Sequence, residues 1–341
     1  MNQRDHWLAT LHPAYFALVM ATGIVSIALW LVGPRSLAEG MLWLNSACYI
    51  VLWGATAMRI ARFTPRVLAD FTHHGRAVGF LTMVAATCVL GSQWVIIAGS
   101  WRLATMLWGL GIALWAVLTY GIFTVLTVKE QKPTLVEGLN GGWLVVVVAA
   151  QAVAVLGVQV APRFDAEPIL LFFCLALWLG GGMLYIWIIS IIFYRYTFVP
   201  MAPSDLTPPY WINMGAVAIS TLAGSLLALA AGRSPLITSL LPFVKGLTLM
   251  FWATATWWIP MLAILGVWRH LYRRFPLRYD PLYWGAVFPL GMYTVATVRL
   301  AQALDVPWLL AIPRAFVWIA LAAWTVTAIG LLGTIRRGLR A

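Results

Sequence analysis

Ten apolar stretches alternate with short polar breaks along the chain. They run Pro13–Val32, Gly40–Met58, Gly75–Ala98, Leu103–Val128, Gly141–Val160, Pro168–Tyr194, Pro208–Ala231, Leu240–Trp268, Pro281–Ala303 and Trp308–Gly333. A helix needs about 20 apolar residues to cross the hydrocarbon core. Each stretch is long enough, and the longest ones tilt or stand proud of the bilayer. The pattern predicts an all-α integral membrane protein, one domain over residues 1–341 with ten transmembrane helices. The first stretch directly follows the polar segment Met1–His12 and has no small-x-small cleavage site, so it is expected to stay as a helix rather than act as a cleaved signal peptide.

The stretches are of two kinds. Apart from Trp7, fourteen tryptophans lie on or just before even-numbered stretches and five on odd-numbered ones. The odd stretches are instead rich in small residues, among them Ala21-Thr22-Gly23 with Ser26, Gly75 and Gly79, Gly141-Gly142, Gly215 with Ser220 and Gly224, and Gly285 with Gly291. Small residues permit close helix approach or line a cavity, whereas bulky residues suit a lipid-facing wall. The odd stretches start at 13, 75, 141, 208 and 281, at intervals of 62, 66, 67 and 73 residues. This spacing marks five parallel helical hairpins, all entering from the same side and related by an axis along the membrane normal. Closed into a ring, they place the odd helices inside around a central pore and the even helices outside. Two mixed bundles without a central axis are the alternative arrangement.

Composition agrees with a membrane setting. The chain is 62% hydrophobic and 9% charged, against about 25% charged in soluble domains. The net charge of +12 is spread over short loops with no basic arm, which excludes a nucleic-acid partner and matches the positive-inside pattern. With the N-terminus inside, fifteen Lys and Arg fall in the cytoplasmic segments and only Arg35, Arg102, Arg163 and Arg233 in the outer loops. Both termini are therefore expected in the cytoplasm, with the protein in the bacterial inner membrane. Cys48, Cys88 and Cys174 lie within apolar stretches without CxxC spacing and read as small buried hydrophobes.

The distribution of titratable groups narrows the chemistry. All ten acidic residues lie in loops or at helix ends, and the five histidines sit at the membrane edges. Cation pathways and proton relays usually need buried Asp, Glu or His, so these classes, an axially ligated haem and a metal centre are disfavoured. No cofactor is expected. A membrane-embedded enzyme would need clustered acids, metal ligands or a nucleophile–base pair at the membrane edge, and the sequence offers none. Apart from Arg76 at the cytoplasmic edge of the third stretch, Lys245, Arg299 and Arg314 are the only charges within spans, roughly 7–11 Å from the outer face at 1.5 Å per residue. They form either a cationic collar at a pore mouth or side chains that snorkel to headgroups, with Arg299 alternatively paired to Asp305. Thr22, Gln151 and Asn213, with the small residues Gly23, Ser26, Gly215 and Ser220, are candidates for the pore lining. Interhelical hydrogen bonding explains the polar ones equally well. Pro289, just after Phe288 in the ninth span, removes a backbone hydrogen bond and predicts a kink; Phe288 beside it suits core packing as well as a gate.

Four segments carry a family resemblance: Phe16–Ser26 (FALVMATGIVS), Gly142–Gly157 (GWLVVVVAAQAVAVLG), Pro208–Ser220 (PPYWINMGAVAIS) and Tyr283–Ala301 (YWGAVFPLGMYTVATVRLA). In their order and spacing the chain resembles the tellurite-resistance/dicarboxylate transporter family, the superfamily of slow anion channels and malic acid transport proteins. The resemblance covers nearly the whole chain. It implies ten helices in five hairpins, a pore through the odd helices, a homotrimer with one pore per subunit, and a phenylalanine of the ninth helix plugging that pore, here Phe288. The first-helix motif departs from the family with Ala21 where glycine is common, which bears on how narrow the pore is. The function so implied is voltage-independent passage of small anions or C4-dicarboxylates such as malate across the lipid bilayer. A proton-coupled carrier or a sulfite or tellurite-related exporter is the alternative, and a membrane-embedded enzyme the remote one.

Overall fold

The computed structural model describes residues 3–340, which are helical with short connections and contain no strand among the described residues. Among the described residues, nine helices are long and apolar enough to cross a membrane: Pro13–Val32, Arg35–Phe71, His74–Ala98, Trp101–Val128, Gly141–Arg163, Glu167–Phe198, Pro208–Leu229, Leu241–Tyr272 and Pro307–Arg337. A further helix, Trp284–Leu304, sits between the last two and is buried along most of its length. It is diluted by Pro289, several small and hydroxyl residues, Arg299 and Gln302, yet it closes the bundle. These ten are numbered here as spans 1 to 10, with Trp284–Leu304 as span 9.

The spans form two concentric rings. Each odd span packs against the next, 1 on 3, 3 on 5, 5 on 7 and 7 on 9, and span 9 returns to span 1. Each even span lies in the outer groove between two odd ones. In the most apolar parts of spans 1, 3, 5 and 7, 78–94% of residues are buried, against 17–44% in the even spans. This matches the inner and outer assignment expected from the distribution of glycine and tryptophan.

Lipid gives helices no hydrophobic incentive to associate, so close packing and hydrogen bonds must do so. Glycines supply the close approach. A Cβ on Gly215 would come within 2.7 Å of Pro289 Cγ, and one on Gly291 within 2.8 Å of Ile24 Cγ2. Aromatic donors supply the hydrogen bonds, in a pattern repeated around the whole ring. Tyr49 of span 2 bonds Thr87 of span 3 at 2.8 Å. Trp108 of span 4 donates to the Val153 carbonyl of span 5 at 3.1 Å, and Trp178 of span 6 to the Ser220 carbonyl of span 7 at 2.8 Å. Trp252 of span 8 donates to Thr297 of span 9, and Trp324 of span 10 to Thr22 of span 1, both at 3.0 Å. Part of the tryptophan excess on the even helices thus points inward as adhesive between rings, rather than outward to lipid.

Near its start each odd span has a tight 3-10 turn, in span 3 after a first α-turn His74–Ala77: Pro13–Phe16, Val78–Leu81, Gly141–Leu144, Pro208–Trp211 and Pro281–Tyr283. These five turns touch one another in a closed circle at the side bearing both termini. Four of the five spans are preceded by a side chain that accepts from the backbone N–H two residues on, the expected N-cap device. These are His12 from Ala14, His73 from Gly75, Asn140 from Gly142 and Asp280 from Leu282. The fourth repeat has Thr207 at this place, and Pro209 has no N–H to give.

Several even helices outrun their expected ends. Span 2 continues through Phe71 with a break in helical geometry at Phe63, before Pro65. Its 37 residues are far longer than the roughly 30 Å hydrocarbon core requires, so the last turns project beyond it. There Arg59 is buried and pairs with Asp70 at 2.7 Å, while Arg76 pairs with the other carboxylate oxygen at 2.5 Å. Arg59 also donates to the Ala9 carbonyl at 3.3 Å, tying down the short helix Gln3–Thr10.

Candidate functional site along the ring axis

Two cavities lie on the axis of the inner ring, and all five odd spans or the residues capping them line each one. The near cavity, on the side of the termini, encloses about 120 Å³. Its wall is built by Ala14 and Ala17, Val78 and Thr82, Gly142 and Val145, Pro209 and Ile212, and Leu282 and Gly285, with His12, Asn140 and Thr207 at the rim. The far cavity is narrower, about 20 Å³. Its apolar wall includes Ile24, Val89, Val155, Leu222 and Val295, and its polar groups are Ser92, Gln159 and Arg299. Neither lining contains a carboxylate.

The lining positions follow helical stripes at three- and four-residue steps. On span 9 the stripe runs Leu282, Gly285, then Met292, Val295 and Arg299, and Phe288 is the residue that carries it across the interval. Continuing the other stripes across the same level gives Ala21 on span 1, Ala85 on span 3, Ala149 on span 5 and Ala216 on span 7. All five residues are buried. By this spacing Phe288 falls at the level of four alanines, in the interval between the two cavities, and none of the five is among the residues lining either one. Pro289 lies on the flank of this level with its ring over Gly215, and without an N–H it leaves the Gly285 carbonyl at the near cavity unpartnered by the helix.

The ring has an electrical polarity. Because the five inner helices run the same way, their N-termini converge on the near cavity and their C-termini on the far one. Each end carries the equivalent of about half a charge, positive at N-termini and negative at C-termini. The near mouth is thus favourable to anions by its backbone alone, and the far mouth is not. Arg299 is the basic residue found at that far mouth. Its guanidinium makes a 2.9 Å hydrogen bond to Gln302, and no carboxylate among the described residues pairs with it. At the near rim, burial reinforced by the Arg76 guanidinium pushes the His12 imidazole down to about 4, so it is neutral at pH 7.

The residues singled out for polarity or small size lie elsewhere on the inner helices. Thr22 accepts from Trp324, and Ser26 donates to the Ala38 carbonyl of span 2 at 2.7 Å. Gln151 donates to the Trp178 carbonyl of span 6 at 3.0 Å, and Asn213 to the Tyr196 hydroxyl at 3.1 Å. Ser220 donates back to the Ala216 carbonyl of its own helix. Gly23 faces Val89, Asn45 and Gln93, and Gly215 faces Pro289. None of these seven is among the residues lining either cavity. Of the three basic residues Lys245, Arg299 and Arg314, Arg299 lines the far cavity; Lys245 and Arg314 belong to outer spans 8 and 10, with Lys245 half-buried and Arg314 exposed. Ser92 and Gln159 were missed. The signal that finds them is the stripe of lining positions, since polarity alone selects the wrong face. The described residues hold no cluster of potential metal ligands.

Comparison with known proteins gives a consistent picture. The sequence profile of the SLAC1 family, described as voltage-dependent anion channel, matches residues 10–332. An uncharacterized membrane protein of Mycobacterium tuberculosis is 42% identical over 150 residues, covering 44% of this chain and 75% of that protein. An uncharacterized transporter of Methanocaldococcus jannaschii is 22% identical across 96% of this chain and 94% of its own length. The sulfite efflux pump SSU1 of Trichophyton rubrum is 23% identical, covering 90% of this chain and 86% of that protein.

Proposed function

The chain belongs to the voltage-dependent anion channel family, and from that premise we propose that it passes small anions passively along the axis of the inner ring, with Phe288, backed by Pro289, as the closure between the two cavities. What supports this most is the helical spacing of the lining positions, which sets Phe288 at the level of four alanines in the interval between the cavities. A ring that turns aside opens a path, and a ring that stays blocks it. The absence of carboxylates from both linings removes the repulsion an anion would otherwise meet, and the converging helix N-termini favour its entry.

The decisive experiment is anion flux from liposomes holding the purified protein, with chloride, nitrate, sulfite and malate compared at several imposed potentials. Phe288→Ala should raise the flux of whichever anions pass. An unchanged flux would remove Phe288 from this role. The similarity to sulfite efflux pumps favours sulfite as one of the anions, while malate and other C4-dicarboxylates rest on the family resemblance. Uptake that collapses with an uncoupler would instead identify a proton-coupled carrier. We further propose that the protein lies in a bacterial inner membrane with both termini cytoplasmic, as the fifteen-to-four distribution of basic residues favours, and that it assembles as a homotrimer with one path per subunit.

A further inference from the structure

Resting on the anion-transport reading above, we infer that Arg299, Ser92 and Gln159 form an anion-binding station at the far mouth of the path, sized for one small inorganic anion, and that this station sets which ions pass while Phe288 sets only whether they pass.

The three residues come from three different inner spans, 9, 3 and 5, and meet in one cavity. Ser92 is 4% exposed, and its hydroxyl has no hydrogen-bond partner. The Gln159 side-chain oxygen is likewise buried without a partner, and a half-turn of its amide presents NH2 to the same space. Burying polar groups without partners is costly, and such groups call for an explanation. An intermittent occupant supplies one. Arg299 offers charge-assisted hydrogen bonds and spends only one contact on Gln302. One cation with two neutral donors holds an anion without trapping it, as conduction requires.

The electrostatics of the ring explain why the charge belongs at this end. Five helix C-termini converge there, each with roughly half a negative charge, and would repel an approaching anion. Arg299 offsets them on the axis, where the effect on selectivity is greatest.

The dimensions restrict the occupant. A cavity of about 20 Å³ takes a single water-sized species. Chloride fits with little movement of the walls, and nitrate or hydrogensulfite with a modest outward shift of the aliphatic side chains. A C4-dicarboxylate, with two charged groups at the ends of a carbon chain, does not. Because most of the wall is aliphatic, the entering anion sheds part of its hydration shell, so weakly hydrated nitrate should be preferred to chloride.

The test uses the full chain in planar bilayers, in the Phe288→Ala background so that the path is open. Under a potassium chloride gradient the reversal potential reports chloride over potassium. Arg299→Gln should lower that ratio by at least about tenfold, Arg299→Lys should largely keep it, and Ser92→Ala should shrink the preference for nitrate over chloride by about two- to fivefold. A conducting Arg299→Gln channel with unchanged selectivity would overturn the station and leave the transport reading standing. Loss of all anion current in every variant would overturn both. Should Arg299→Gln fail to fold, Ser92→Cys in a chain with Cys48, Cys88 and Cys174 replaced by alanine gives a second readout. Negatively charged methanethiosulfonate added at the far side should react faster than the positively charged reagent, each measured relative to a free thiol. Equal relative rates, or no reaction with either, would overturn the station.

Discussion

Each inner helix presents two faces that do different work. On the outward face, Thr22, Ser26, Gln151, Asn213 and the Ser220 carbonyl each hold a partner on the outer ring, although the amide oxygens of Gln151 and Asn213 have none, and glycines bring the rings together. On the axial face, the residues are mostly alanine, glycine and aliphatic, and Ser92 and Gln159 have hydroxyl and amide oxygens without partners. In a bilayer a polar side chain is more often adhesive than conduit, because a hydrogen bond to a neighbouring helix is available permanently and a passing solute only at intervals.

The largest way to break this contrast is at its centre. Phe288→Ala should raise anion flux at least about tenfold, measured by dye quenching or ion-selective electrode. A change of comparable size from any outward-face substitution would show that the distinction is wrong.

The next effect concerns pH at the near rim. With its pKa held down to about 4 in the folded protein and near 6.5 when unfolded, His12 is protonated more readily in the unfolded state. Stability is therefore complete above pH 6.5 and falls as pH drops toward 4, by up to about 3 kcal/mol. Melting temperatures between pH 4 and 7 should show this slope, and His12→Asn, which keeps a capping acceptor, should flatten it. Anion flux between pH 7 and 8 should show no contribution from His12.

Glycines distinguish the faces by packing. A Cβ on Gly224 would overlap Thr248 and Trp178, so Gly224→Ala should cost about 1–3 kcal/mol in thermal unfolding. At the near cavity, the nearest atom to a Cβ on Gly285 is 3.7 Å away. Gly285→Ala should be neutral or stabilise by about 0.5–1 kcal/mol. The smallest effect is expected for Gln151→Leu, which removes one interhelical bond worth about 0.6 kcal/mol and should leave flux unchanged. A pronounced loss of flux there would return Gln151 to the conduit.

Much of the architecture is legible in the sequence. The ten stretches, the hairpin period and the contrast between glycine-rich and tryptophan-rich helices point to the two rings, because lipid imposes length and backbone satisfaction on every span. The helix ends were less legible. Basic residues at 59, 62 and 66 mark the edge of the membrane, yet the helix of span 2 continues to Phe71, because a helix can continue into water where it has partners, here the ion pairs around Asp70. The lining was least legible. Thr22 and Ser92 are both hydroxyl residues on inner helices, and nothing local separates the one bonded to Trp324 from the one left without a partner.

The sequence by itself determined that this protein lives in the bilayer, how many times it crosses, and which helices are inner, since these follow from hydrophobic length and residue size along one dimension. Only the tertiary structure decided which side of each inner helix faces the axis, and that Arg299, rather than Lys245 or Arg314, lines a cavity there. Rotation of a helix about its own axis is fixed by contacts with all its neighbours at once, and a buried helix that is apolar nearly all round carries little local signal of that rotation.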